Sequence, residues 1–431
     1  MVYYASVFRK IMLAAVKNTA LFLFMLITAC GNSAAVAYKN PSIDKIPDPV
    51  RSGINTGADR HWLYLPLIRG KNVGVVTNQT GIITQYDTVR EPDSDKITLA
   101  PRSMHLVDFL VERKINIQKI YAPEHGFRGT ADAGELVTDG KDTKTGVPIV
   151  SIYGSNKKPS AEQLAGIDIM VFDIQDIGAR FYTYISSLHY VMEACAELHI
   201  PIIVLDRPNP NGSIVDGPTL EKENSSFIGM HEIPVLHGMT IGEYAQMING
   251  EQWLKDGVQC ELIVIPCSYY KRNMFYSLPV KPSPNIPNDQ AVNLYASLCF
   301  FEGTNVSVGR GTNKQFQVYG SPYLPDDGFN FTPRPNEGAK EPPQMGRMCF
   351  GKDLSEIRRV KRLELKWLLD AYDDTPDKSK FFIPFFTKLA GTKKLQEQIE
   401  AGESESDIRK SWQPGIVAFR ALREKYLIYG E

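Results

Sequence analysis

Two stretches of this chain, Ile167 to Asp173 (IDIMVFD) and Pro201 to Asp206 (PIIVLD), are apolar at nearly every position. A strand with one face in water alternates apolar and polar residues, so such runs predict strands covered on both faces. Four further β-rich runs accompany them: Asn72 to Asn78, Ile117 to Ala122, Pro148 to Tyr153 and Glu261 to Pro266. Between them lie segments with helical spacing, at Met104 to Lys114, Tyr184 to Leu198 and Thr240 to Asn249. In the first of these, Leu106, Phe109 and Leu110 share one side. Alternation of this kind predicts an α/β domain on a mainly parallel sheet.

The pattern changes near residue 275. Lys281-Pro282-Ser283-Pro284-Asn285-Ile286-Pro287 can be neither helix nor central strand and reads as a connection. A helix over Asp289 to Phe300, a Gly/Pro-rich stretch from Gly320 to Gly346 and several amphipathic helices follow. The expected organisation is a domain over 49–275 and a smaller α+β domain over 276–431. The amino terminus stands apart. Arg9, Lys10 and Lys17 precede an apolar run, Thr19 to Ala29, too short for a permanent membrane helix, which is the arrangement of a signal peptide. It ends in Leu26-Ile27-Thr28-Ala29-Cys30-Gly31, resembling a bacterial lipobox, where cleavage precedes the Cys and its thiol is lipidated. Residues 1–29 are therefore expected to be removed and 30–48 to form a tether. The protein would be an exported cell-envelope lipoprotein facing the periplasm. A net charge of −1 and the absence of a long basic run disfavour nucleic acid. Besides Cys30 there are five cysteines, an odd number without paired spacing, which does not describe a disulfide framework. Buried free thiols are the expectation for Cys195 and Cys299.

In open parallel sheets, ligands bind beyond the carboxyl ends of the strands. Three polar clusters fall there: Pro123 to Gly129 with Glu124, His125 and Arg128; Gln175 to Tyr184 with Asp176, Arg180 and Tyr182; and Arg207 to Gly212 with Asn209. Carboxylates supply acid–base chemistry, arginines grip anions, aromatics stack on sugar rings, and glycines admit close backbone approach. Structural roles compete with these. Asp173 and Asp176 have helix capping open to them, Asp206-Arg207 a local ion pair, and Asn209-Pro210-Asn211-Gly212 a turn. His125 could pack or orient a neighbour. Glu124, set among Pro, His and Gly where a chain ordinarily just turns, points more firmly to function. His231-Glu232 with His237 lacks the spacing of a zinc motif, and neither a phosphate-binding loop nor a GxSxG elbow occurs. No metal or cofactor is called for.

The same segments carry a resemblance. YAPEHGFRGTADAGE (121–135), FDIQDIGARFYTYISSLHYVM (172–192) and LDRPNPNG (205–212) resemble the exo-β-N-acetylmuramidase family, formerly a domain of unknown function. HEIPVLHGMTIGEYA (231–245), KPSPNIPN (281–288) and FEGTNVSVGRGT (301–312) extend the likeness. It runs from about residue 65 onward. It implies a Rossmann-like domain followed by a smaller one, and release of terminal N-acetylmuramic acid from the non-reducing end of peptidoglycan fragments. Glycoside hydrolysis usually needs two carboxyl groups. Glu124 is the expected general acid/base, with Asp176 and Asp173, on what should be the neighbouring strand end, and Glu302 and Glu135 as rivals for the second. N-acetylmuramic acid carries a lactyl carboxylate, so Arg128, then Arg310, then Arg180 are candidates to grip it. Tyr182 and Tyr184 are stacking candidates. A non-catalytic sugar-binding lipoprotein and a nucleotide-sugar transferase remain the competing readings.

Overall fold

The computed structural model describes residues 53–90, 97–129, 135 and 138–431. The signal segment, the tether and Cys30 lie outside them. In chain order the first half contains α1 (His61–Ile68), β1 (Asn72–Thr77), the antiparallel pair β2 (Ile82–Arg90) and β3 (Ile97–His105), α2 (Leu106–Glu112) and β4 (Asn116–Ala122). It continues with β5 (Gly140–Lys141), β6 (Pro148–Ser151), the short α3 (Ala161–Leu164), β7 (Ile169–Asp173), α4 (Tyr184–Glu197), β8 (Ile202–Leu205), α5 (Ile241–Gly250) and β9 (Leu262–Ile265). Seven strands form one sheet in the order β5-β6-β4-β1-β7-β8-β9, with every neighbouring pair parallel except β5 with β6. The two all-apolar runs are β7 and β8. Both are buried along their whole length, as double coverage requires. Farther out, β4 is exposed at its amino end and buried only at its last three residues.

The second half adds α6 (Asp289–Leu298), a three-stranded antiparallel sheet of β10 (Val318–Ser321), β11 (Asn330–Phe331) and β12 (Cys349–Asp353), then α7 (Lys366–Asp374), α8 (Phe385–Ala390), α9 (Lys394–Glu400) and α10 (Glu405–Arg423). This is an α/β architecture with a smaller mixed region behind it. Helix starts follow the chemistry of their caps. Thr240 and Glu243 form a reciprocal capping box on α5, and Asn288 accepts from the Ala291 amide at the start of α6.

Three elements escape the sequence patterns. Helix α1 (HWLYLPLI) is apolar on nearly all sides and contains Pro66. The pair β2–β3 is largely polar without clean alternation, and the small second sheet lies partly inside the Gly/Pro-rich stretch. One expectation about the rim needs correcting. Strand β1 separates β4 from β7, so Asp173 and Asp176 do not lie on the strand next to Glu124. The five cysteines among the described residues are all buried and unpaired.

Candidate active site

Read along the rim, the carboxyl ends of β6, β4, β1 and β7 deliver Tyr153, Glu124, Asn78 and the segment leading into α4. Beyond them opens a cleft of about 920 Å³, whose opposite wall comes from α6, the turn Cys299–Gly303, the loop through Arg310, residues 338–343 and α8. Aromatic side chains from both halves line it, among them Tyr153, Phe227, Tyr295 and Phe316. A mostly apolar cavity with a few convergent polar groups is the usual form of a ligand site.

Glu124 is held from two sides. The Tyr153 hydroxyl donates to its Oε1 at 2.8 Å and the Thr183 hydroxyl to its Oε2 at 2.6 Å. Thr183 occupies the N-cap position of α4 yet makes no capping bond to that helix. Its backbone is already helical there, at φ −69° and ψ −5°, and its hydroxyl points to Glu124. Each hydroxyl can both donate and accept, so the same two partners can hold Glu124 with or without a proton. The turn that aims it is tight. His125, buried and on the cleft wall, sits at φ +69°, a region non-glycine residues seldom enter, and Gly126 follows at φ +75°.

Across the cleft, Glu302 and Arg310 form a half-buried pair, with Nε 2.5 Å from Oε1. The guanidinium lies 5.1 Å from the centroid of the Phe316 ring. Its two terminal nitrogens have no hydrogen-bond partner among the described residues. Glu135 and Lys340 form a more exposed pair at 2.6 Å, also on the lining. Among the described residues no group of three or more His, Cys, Asp and Glu side chains gathers to hold a metal ion.

Several expected site residues are elsewhere. Asp173 is sealed under Arg207, which gives it Nε at 2.6 Å and Nη2 at 2.9 Å. Asp176 accepts the Gly178 amide at 2.7 Å, and burial pushes its pKa up to about 7. It is a turn cap rather than a cleft residue. Asn209 closes its own turn by accepting the Asn211 amide and donating to the Met239 carbonyl. Arg180 cannot reach a ligand. It is fully buried and donates to four carbonyls, those of Pro218, Ile233, Leu389 and Ala390, the last two at the end of α8, where carbonyls lack helical partners. Arg128 turns to Asp142 at 2.5 Å and lies over Phe127, and it is not among the residues lining the cleft. Tyr182 and Tyr184 do line it, but as an edge-to-face pair with committed hydroxyls: Tyr182 donates to the Pro282 carbonyl, and Tyr184 accepts from Asn78. Tyr153 had no expected role, although it ends a predicted strand and, with β6 stopping at Ser151, obeys the same rim rule. Thr183 stood inside a quoted motif without a role. Phe227 and Lys340 carry no local signal, because only the tertiary fold brings them to the cleft.

Comparison with known proteins agrees across the chain. The model of the exo-β-N-acetylmuramidase NamZ N-terminal region matches residues 73–290, and that of the C-terminal region matches 293–429. The peptidoglycan β-N-acetylmuramidase NamZ of Bacillus subtilis (strain 168) is 37% identical over 95% of this chain and 98% of its own length. A crystal structure of a DUF1343 family protein from Bacteroides fragilis superposes with a TM-score of 0.78 at 42% identity, covering 88% of this chain and all of that one. A second DUF1343 protein from the same organism gives 0.71 at 28% identity over the same shares. With both halves matched in order and the relatives covered nearly end to end, the chain belongs to the exo-β-N-acetylmuramidase family of glycosidases.

Proposed function

We propose that the protein is an exo-acting glycoside hydrolase that releases terminal non-reducing N-acetylmuramic acid from peptidoglycan fragments, with Glu124 as general acid/base. The observation that carries this reading is the two-sided hold on Glu124, whose carboxyl group the Tyr153 and Thr183 hydroxyls fix at the cleft. A fixed carboxyl group can donate its proton to the departing glycosidic oxygen as the bond to the anomeric carbon breaks, and then draw a proton from the incoming water. Glu302 takes over from Asp173 and Asp176 as candidate for the second carboxyl group, because it lines the cleft and they do not. Its partner Arg310 has terminal nitrogens to offer the lactyl carboxylate.

The test is release of chromophore from a chromogenic muramic-acid glycoside without added cofactor. Turnover by the parent and a fall of at least ~10²-fold in Glu124→Gln, with substrate binding retained, support the assignment. A binding protein without activity would show no release at all, and near-parental activity in the variant would remove Glu124 from the mechanism. We further propose export and membrane attachment through a lipidated Cys30. Cys30→Ser should move the protein from the detergent to the aqueous phase on partitioning, and a parent already aqueous would end that proposal.

A further inference from the structure

A second cavity, of about 650 Å³, adjoins the cleft. The two share walls in three places. Ser283 lines both; Arg310 faces the first and Gly311 the second; Gly338 belongs to the first and Glu337 to the second. The two cavities adjoin along these segments, which are tied together: Arg334 N donates to Gly311 O at 2.9 Å, Asn336 Nδ2 to Thr312 O at 3.0 Å, and Asn285 Nδ2 to Gly338 O at 2.5 Å. Gly311 is required where it stands. It has φ +77°, and a Cβ there would come 2.6 Å from the Arg334 carbonyl oxygen.

The two parts differ in chemistry. The first is walled by aromatic rings. The second presents the amides of Asn313, Gln315 and Asn336, the hydroxyl of Thr312 and two exposed cations, Lys281 and Arg334, against one acid, Glu337. Asn336 Oδ1 and Gln79 Oε1, both on this lining, are buried without a hydrogen-bond partner among the described residues. Such a surface suits a hydroxyl- and amide-bearing ligand that also carries negative charge.

We propose that this second cavity is the subsite for the remainder of the saccharide chain, and that Lys281 and Arg334 recognise the carboxylate of the next acidic sugar beyond the cleavage point. The inference rests on the hydrolytic reading above. A cell-wall glycan alternates a neutral and an acidic amino sugar, so with the terminal acidic sugar beside Glu124 the next carboxylate falls two units along. The lining changes from aromatic in the cavity that holds Glu124 to cationic and amide-bearing in the one that adjoins it. Binding there makes the enzyme sensitive to chain length.

The experiment compares the parent with Lys281→Ala/Arg334→Ala on two substrates: the chromogenic muramic-acid glycoside and an unbranched tetrasaccharide of alternating units with an acidic sugar at its non-reducing end. Exposed charge contacts are individually worth at most about fivefold. The double variant should therefore lose roughly tenfold in kcat/KM on the tetrasaccharide and less than about twofold on the single-sugar substrate. Lys281→Gln/Arg334→Gln, which keeps reach without charge, should lose as much, and the gap to the parent should narrow in high salt. Equal losses on both substrates, or none on the tetrasaccharide, would overturn the subsite. Calorimetric titration of the tetrasaccharide into Glu124→Gln chains, with and without the double substitution, reads the subsite independently of turnover. A parent that hydrolyses neither substrate refutes the hydrolytic reading, and the subsite still stands if the tetrasaccharide binds roughly tenfold less tightly to the Glu124→Gln chain that carries the double substitution.

Discussion

The rim of the main sheet has two stretches that look alike in sequence and behave oppositely in the fold. Beyond β6 and β4, Tyr153 and Glu124 meet an open cleft. Beyond β7 and β8, Asp173, Asp176, Asp206, Arg207 and Asn209 are each no more than 4% exposed. What separates them is the covering chain. The carboxyl-terminal segment returns to the second stretch, where the Tyr429 hydroxyl donates to Asp206 Oδ2 at 2.6 Å and Arg272 ties Glu243 to the Tyr429 carbonyl. The open stretch faces α6, α8 and the Arg310 loop across a gap. Polar residues at strand ends therefore meet two environments in this molecule: an open cleft where the second half stands off, and a sealed network where it closes down.

The largest expected effects separate these roles directly. Arg207→Ala leaves the Asp173 carboxylate buried without its bidentate partner, which costs about 3–5 kcal/mol. Denaturant unfolding should show that loss, while the folded fraction keeps its turnover. Glu124→Gln should do the reverse, with activity gone and the unfolding midpoint within ~0.5 kcal/mol of the parent or above it. If Arg207→Ala unfolds like the parent, the closed rim is not a structural clamp.

The two arginines give the next contrast. Arg310→Ala should lower kcat/KM for the muramic-acid glycoside relative to the matching glucosamine glycoside by about 30-fold or more. Loss of a charge-assisted contact to the lactyl carboxylate costs ~2–3 kcal/mol, at ~1.4 kcal/mol per decade. The ratio matters because Arg310→Ala also leaves Glu302 unpaired, a loss both substrates share. Arg180→Lys should leave that ratio unchanged and lower stability instead, since an ammonium cannot span four carbonyls. A changed ratio in Arg180→Lys, or an unchanged one in Arg310→Ala, would reverse the assignment.

This contrast also marks how far sequence reasoning reaches. Double coverage is written into IDIMVFD and PIIVLD, so the sheet and its rim follow from local pattern. The position of Glu124 on the cleft follows too, because its turn leaves the carboxyl end of a predicted strand. The asymmetry of the rim does not follow, since it depends on which loops the second half covers, and no window of sequence contains both partners. Arg180 shows the difficulty. It stands in the motif beside Tyr182 and Thr183, which face the cleft, yet its side chain runs inward to the end of α8, some 210 residues away along the chain. Asn209 took the turn that competed from the start, but the local Asp206-Arg207 ion pair did not form. Arg207 pairs with Asp173, for which helix capping was the alternative, and Asp206 accepts from Thr240, Gly242 and Tyr429.

The smallest expected effect tests the closed rim through pH. Burial raises the Asp176 pKa to about 7, against ~3.9 in an unfolded chain. Between those values the folded state binds more protons than the unfolded one, so this group's contribution to stability is full below about pH 4 and falls as pH rises through 7. Asp206, raised to about 6 by the same cause, acts in the same direction. His237, whose Nε2 lies 3.9 Å from Asp176 and whose pKa burial lowers to about 3, opposes them, since its stabilising effect grows as pH rises toward the unfolded value. Asp176→Asn keeps an acceptor for the Gly178 amide and removes the proton. It should therefore flatten the decline in stability between pH 4 and 7, because the opposing shifts of Asp206 and His237 that remain roughly cancel. At ~1.4 kcal/mol per pKa unit the ceiling is about 4 kcal/mol, and relaxation with water entry around the ionised group reduces it to the order of 2. Unfolding midpoints of the two chains at pH 4, 5.5 and 7 decide the matter. Parallel pH profiles would mean that Asp176 is ionised in the fold, with a partner its burial does not reveal, and the closed rim would then be less sealed than its geometry indicates.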